Sequence, residues 1–515
     1  MTSSSRKQNE PSKVDSTPAE PHSSLTKTDV RKIFYGLTLG MFLSALNQTI
    51  VATALPTIGR EFGDFENLSW VIIAYLLSST VVSPLYGKLS DIHGRRAMML
   101  LAIGFFLVGS VISAAAPNMA ILVAGRTLQG IGGGGIVPLT QTTIADMVTP
   151  RERGHYQAYI GTSWIVAGLT GPALGGAIAE HLHWSVIFWL NVPFGILAAL
   201  LAYHSMKRLP RHAWPHQLDI VGAALMIAAA TSLLLALTSG GTRVPWLSPT
   251  IFALVATSLA LSAAFVWWLR LAPEPFLPLT VLGNPVMRAG TAATSWMLGA
   301  VLGLTIYMPL YFQLAHGLSA TQAGLALIPI VVMTTPGSML SGRSMMYLNH
   351  YKVTAIGGSI IAIASVTVLA IWPAMPLYGV IVALTLIGFG AGTVYPVATV
   401  SIQNAVPAHQ VGTATGAMNF FRALASTLAV AIMGAILLSA LGATPERSTG
   451  VELLVETASA AGIDIAMVFR FVFLAADAFV IAAFIAVLLM EERPLRGPAT
   501  TPSPASTEAP PAPAE

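Results

Sequence analysis

The sequence predicts an all-α integral membrane protein: fourteen helices that cross a bilayer, arranged as two six-helix bundles with two further helices inserted between them. Three observations carry this prediction. The chain is 54% hydrophobic and 9% charged, against roughly 25% charged in an ordinary soluble domain. With so few polar side chains to meet water, lipid must cover the surface. Fourteen apolar stretches approach or exceed the about 20 residues that a helix needs to cross hydrocarbon. Finally, Lys and Arg alternate between abundant and scarce from one loop to the next.

The stretches run 33–55, 70–90, 97–116, 119–145, 156–179, 186–205, 218–238, 250–270, 288–312, 321–342, 353–372, 376–399, 411–440 and 467–490. The 411–440 stretch is longer than one span and is expected to tilt or end in a surface turn. No series of alternating strands suggests a barrel. Sorting the loops by side puts twenty Lys and Arg on one face and three, Arg60, Arg243 and Arg447, on the other. Basic residues are retained on the cytoplasmic side. Both termini are therefore expected inside the cell, with the protein in the inner (plasma) membrane and the helix number even. The weakest loop is 400–410, placed on the basic side with only His409.

This division gives five regions. Residues 1–32 and 491–515, rich in Ser, Pro, Ala, Thr and Glu, are expected to be disordered cytoplasmic tails. Residues 33–206 form an N-terminal bundle, 207–287 a linker holding the inserted pair, and 288–490 a C-terminal bundle. Two such halves with a site between them is the build of many secondary carriers. The chain has no cysteine, which excludes disulfides, thiolate metal sites and a cysteine nucleophile. The net charge of +4 lies on loops with no concentrated basic stripe, so nucleic acid is not an expected partner.

Enzyme and sensor readings find little support. No H-E-x-x-H, G-x-S-x-G or phosphate-binding loop occurs. His212 and His216 have a helical spacing, but Pro215 argues against a helix there, so no metal site is expected. No cofactor is expected either.

Several strings carry more specific information. Between the second and third stretches lies Gly87-Lys88-Leu89-Ser90-Asp91-Ile92-His93-Gly94-Arg95-Arg96. Gly87 permits close helix approach, Asp91 can accept from a neighbouring helix N-terminus, Gly94 allows a tight reversal, and Arg95 and Arg96 anchor the loop. The fourth stretch holds Arg126-Thr127-Leu128-Gln129-Gly130; an arginine inside a span faces a cavity or a partner, or snorkels. In the fifth, Ala167, Gly171, Gly175 and Gly176 set small residues around Pro172, which suits close packing and a kink.

Together these strings resemble the motifs of the major facilitator superfamily, and Leu46-Asn47-Gln48-Thr49-Ile50-Val51 with Ala54-Leu55-Pro56 resembles its fourteen-helix drug:proton antiporter group. The resemblance covers about residues 33 to 490 and is sharper in the N-terminal half. It implies that Gly87, Asp91, Gly94, Arg95 and Arg96 form a conformational latch between the halves, although Ile92 stands where Arg is usual. It implies that Arg126 assists proton transfer. Ala167, Gly171, Pro172, Gly175 and Gly176 resemble the antiporter motif, with Ala167 replacing a glycine, and this favours export over uptake.

The expected function is export of small organic or amphipathic compounds by proton antiport and alternating access. The partners are the substrate, protons and the lipid bilayer, with a periplasmic adaptor protein used by some carriers of this kind. One departure matters most. Asn47 stands where the group has an aspartate, and an amide cannot titrate. Asp477 is the carboxylate nearest the middle of a span and could exchange a proton, with Arg422 as a charge partner, or it could make a structural hydrogen bond. The alternative is a facilitator, or a lipid or metabolite carrier, without proton coupling. The substrate cavity is expected near the midplane, with Asn47, Gln48, Trp164, Trp296, Tyr307, Gln313, Asn419 and Phe420 as candidate linings.

Overall fold

A computed structural model describes residues 26–209, 218–241, 244–441 and 464–495. The greater part of both tails, His212, His216, Arg243 and Arg447 lie outside the described residues. Among those described there is no β-sheet, and fourteen helices are long and apolar enough to cross a membrane. We number them α1 (Lys27–Phe62), α2 (Trp70–His93), α3 (Arg95–Ala114), α4 (Met119–Met147), α5 (Pro150–His181) and α6 (Val186–Ser205) in the first half. The inserted pair is α7 (Ile220–Ser239) and α8 (Pro249–Leu271). The second half holds α9 (Pro285–His316), α10 (Ala320–Tyr347), α11 (Lys352–Ile371), α12 (Leu377–Asn404), α13 (Val411–Ala440) and α14 (Ile465–Leu489).

Each of the expected stretches matches one of these helices, and the differences lie at the ends. The first helix begins at Lys27 rather than at 33, because Thr26 and Asp29 form a reciprocal capping box. The fifth begins at Pro150, where Thr149 and Glu152 do the same. The tenth span is broken into Ala320–Ala326, Ile328–Val332 and Thr334–Tyr347, with Pro329 and Pro336 at the second and third residues of the later pieces. A proline there has no N–H to give the preceding turn, so the helix steps at each junction. Gly63, Gly94 and Gly317, all at positive φ, close α1, the α2–α3 turn and α9.

The two halves repeat one packing plan. In the first, α1 packs on α5 and α6, α4 on α2 and α3, and α3 on α6. In the second, α9 packs on α13 and α14, and α12 on α10 and α11, while α11 also meets α14. The halves meet reciprocally: α2 lies on α13, and α5 on α10. The inserted α7 packs on α8 and touches both α2 and α13, so it spans the seam. Asp219 fixes this pair in place. Its carboxylate accepts Gly222 N at 2.8 Å, Trp268 Nε1 at 2.9 Å and Phe276 N at 3.0 Å. That sends Phe276 and Leu277 into the core of the first half, where both are fully buried.

Candidate transport site

We call the end of the bundle where α1 begins and α14 finishes the near end. The contacts that join the halves gather there. Asp91, at the close of α2, faces the start of α13 and accepts Gly412 N at 3.1 Å, Thr413 N at 2.7 Å and Thr413 Oγ1 at 2.8 Å. A carboxylate at a helix N-terminus satisfies free N–H groups and meets the positive end of the helix dipole. Arg95 holds Asp91 from behind, donating Nη1 to it at 2.6 Å and Nε to Asp146 at 2.8 Å. Gly94, at φ 87°, makes the reversal that brings Arg95 back to Asp91. Arg96 does something else: its guanidinium lies 4.3 Å from the centre of the Tyr203 ring, within the first half.

Close backbone approach completes the seal. A side chain at Gly87 would run into the backbone of Gly412, and one at Gly342 into the backbone of Gly154. On the α5–α10 side Arg151 Nη2 reaches Asn349 Oδ1 at 3.5 Å. Deeper in, Asn419 of α13 donates Nδ2 to Gln141 Oε1 of α4 at 2.7 Å, and Gln403 of α12 reaches Gln141 O at 3.5 Å. Along α13, residues 411–420 are buried and residues 421–425 are half-buried. The fully buried seal therefore ends just beyond Asn419.

The expected cavity residues divide. Asn419 and Phe420 sit at the seal, 7% and 3% exposed, and Gln48 is half-buried on α1. Asn47 is fully buried inside the first half, where its Oδ1 accepts Asn191 Nδ2 at 3.4 Å, so it does not line open space. Trp296 stacks on Phe479 of α14 at 5.4 Å, and Tyr307 donates to Val430 O at 3.0 Å; both bind α9 to its own half. Trp164 is 37% exposed on α5, and Gln313 is exposed and donates to Pro309 O of its own helix at 3.2 Å. A cavity of about 360 Å³ at the far end of the second half, beside Tyr311, His316 and Asp464, is not between the halves.

Arg126 is 1% exposed. It donates Nε to Val71 O at 2.8 Å and Nη1 to Gln129 Oε1 at 2.8 Å, and lies 4.5 Å from the Tyr75 ring centre. Gln129 continues to Ser110 at 2.7 Å. This network ties α4 to α2 and α3. Asp477 accepts from Thr367 Oγ1 of α11 at 2.9 Å, between two helices of the second half. Arg422 donates Nη2 to Asn419 Oδ1 at 2.5 Å. The structure therefore does not bring Arg422 and Asp477 together: each is held by a neutral partner on a different side of α13 and α14. In the string that resembles the antiporter motif, Ala167, Gly171 and Gly175 face α1, where Thr49 Oγ1 donates to Ala167 O at 3.0 Å. Pro172 is exposed and Gly176 meets nothing nearby, so two of its five residues do not pack on α1.

Sequence reasoning did not single out Gln141, Gln403, Gly154, Gly342, Thr413 or Tyr395. The one available signal was small residues recurring within apolar spans, which marks close packing but not its partner.

This geometry, two repeated six-helix halves joined at one end by α2–α13 and α5–α10, is matched by the comparisons. The sequence fits the family model described as Major Facilitator Superfamily over residues 37–219 and 220–430. The chain belongs to the major facilitator superfamily. Members similar to it include the efflux pump FUS6 of Gibberella moniliformis, 35% identical over 83% of this chain and 77% of that protein. The multidrug transporter protein MdtP of Bacillus subtilis is 31% identical over 78% of this chain and 74% of its own. Among solved structures, the human organic anion transporter MFSD10 (TETRAN) superposes with a TM-score of 0.60 at 18% identity, over 87% of this chain and 99% of that one. At that identity the likeness concerns the fold of the superfamily. The protein is thus a multi-pass membrane transporter of the superfamily, and its relatives include proteins named as an efflux pump and a multidrug transporter.

Proposed function

We propose that this protein exports small amphipathic organic compounds by alternating access, with the near end facing the cytoplasm. The observation that carries the reading is the one-ended seal: two repeated halves are locked together by Asp91 on α13 and by Gly87 and Gly154 against their counterparts. Rocking the halves about the cleft would release this end and close the other. The resemblance to efflux pumps supplies the direction.

Two driving forces fit the fold. Proton antiport would run through Asp477, the carboxylate that lies within a span. A specific observation favours the second reading, a carrier without proton coupling. Asp477 faces α11 through Thr367, and Asn47, where a titrating group would sit, is an amide sealed in the first half.

The test is accumulation of a panel of amphipathic fluorescent compounds in inverted vesicles carrying the protein, with proton and potential gradients imposed separately. Uptake of at least one compound above protein-free vesicles is expected. Uptake of none, with folded protein in the membrane, would overturn the reading.

A further inference from the structure

We propose that the second half binds an anionic head group, such as the carboxylate or sulfonate of an organic compound, between the Arg422 guanidinium and the Tyr395 hydroxyl. This rests on the transporter reading and names the chemistry of its substrate.

Arg422 lies eleven positions into α13, counting from Val411. At 1.5 Å per residue that is about 16 Å from the near end, deep within a hydrocarbon layer about 30 Å thick. A cation at that depth is normally paired. Here it is not paired with an anion. Its described hydrogen bond goes to the neutral Asn419 amide, and among the described residues no carboxylate forms an ion pair with it. The carboxylates of neighbouring spans are engaged elsewhere: Asp91 and Asp146 with Arg95, Glu61 with Trp184, Asp477 with Thr367. A guanidinium carries five N–H donors in a fork matched to carboxylate, sulfonate or phosphate.

Tyr395 lies on α12, which packs on α13, and within electrostatic reach of that guanidinium. Its hydroxyl is buried and has no hydrogen-bond partner. A buried hydroxyl without a partner is costly. Two donors, one of them charged, thus sit on adjacent helices, and neither is bonded to an anion. The unpartnered Gln403 Oε1 does not fill that role, since it lies eight residues further along α12, toward the near end.

The site also lies at the edge of the seal. Asn419, one turn below Arg422, holds the inter-half bridge to Gln141 at 2.7 Å, and Arg422 belongs to the half-buried stretch just beyond it. Phe421, half-buried at the same level of α13 and 5.1 Å from Phe420 between ring centres, adds apolar surface for an organic body. A free inorganic anion would use the donors but not that surface.

The experiment measures binding to the purified full-length protein of three probes of one shape: naphthoate, naphthamide and naphthylmethylamine. Chloride and inorganic phosphate serve as competitors. Naphthoate is expected to bind about tenfold or more tightly than the amide or the amine, the scale of charge-assisted hydrogen bonds. R422Q should abolish that preference, bringing naphthoate affinity down to the level of naphthamide in the same variant. Y395F should reduce it several-fold, and provides a second reading should R422Q not fold. Equal binding of the three probes, preference for the amine, absence of binding up to millimolar concentration, or a preference that survives R422Q in folded protein would each overturn the proposal. Competition by chloride or phosphate at the concentrations where naphthoate itself binds would assign the site to inorganic anions and also overturn it. Export without carboxylate preference would defeat this inference alone, whereas carboxylate binding without export of any compound would defeat the exporter reading and leave the site.

Discussion

Asp91 of α2 caps the amino terminus of α13, taking both the backbone N–H of Thr413 at 2.7 Å and its hydroxyl at 2.8 Å. The two residues belong to opposite halves of the molecule, so the contact exists only while the near end is shut. Asp91 is also 7% exposed and bonded to Arg95, which keeps the carboxylate aimed at the helix.

The cap should set the balance between closed and open near ends. In D91N the shape is kept and the charge is lost. Hydrogen bonds to a charged group contribute about 1.5–3 kcal/mol against about 0.5–1.5 for neutral ones. The open near end should therefore gain roughly tenfold in population. Spin labels at cysteines replacing Arg151 and Asn349 would read this as a longer distance; the chain has no native cysteine to interfere. An unchanged distance distribution would remove the cap from the gating account.

Close approach at Gly87 should be equally sensitive to bulk. In G87V the side chain meets the Gly412 backbone, which has no flexible end to yield. The near end should then fail to shut, giving the long label distance and loss of export in a protein of normal abundance. Gly168 meets nothing within 4 Å, so G168V should leave both readouts unchanged.

Asp219 should stabilise the inserted pair rather than affect transport chemistry. It accepts three N–H groups, from Gly222, Trp268 and Phe276. D219A removes an N-cap and leaves those donors unsatisfied, lowering stability by about 2–4 kcal/mol. Thermal unfolding in detergent would show the drop. An unaltered midpoint would mean that the pair is held by lipid-facing packing instead.

An anionic substrate, as proposed for Arg422, would be driven by the membrane potential. A substrate carrying one negative charge outward moves with an inside-negative potential, worth about 2.3 kcal/mol per charge at 100 mV, or roughly fifty-fold in accumulation ratio. Export should respond to an imposed potential, and D477N should leave it unchanged. Export that follows the proton gradient and is lost in D477N would place coupling at Asp477 after all.

Much of this fold was legible in the sequence, for a physical reason. Hydrocarbon tolerates few polar groups, so span and loop separate by composition, and basic residues mark one face. The α2–α3 string was legible too, since Gly87, Asp91, Gly94 and Arg95 act through local spacing. What they act on was not: Gly412 and Thr413 lie over three hundred residues away, in a helix start with no distinctive string. Side-chain direction was equally hidden. The identity of Asn47 was readable, but not its turn toward Asn191; nor was the stacking of Trp296 on Phe479, or the choice of Thr367 rather than Arg422 by Asp477. In a helix that is apolar on every side, periodicity does not tell cleft from core. Gln141 looked like an ordinary polar residue of a long span, yet it bridges the halves to Asn419.

In the proposed transport cycle, export requires the near end to open and shut. Cysteines in place of Arg151 and Asn349, whose side chains approach to 3.5 Å, can be joined by an oxidant and released by a reductant. Export should stop when they are joined and return when they are released. Export that continues at full rate through the joined protein would contradict the claim.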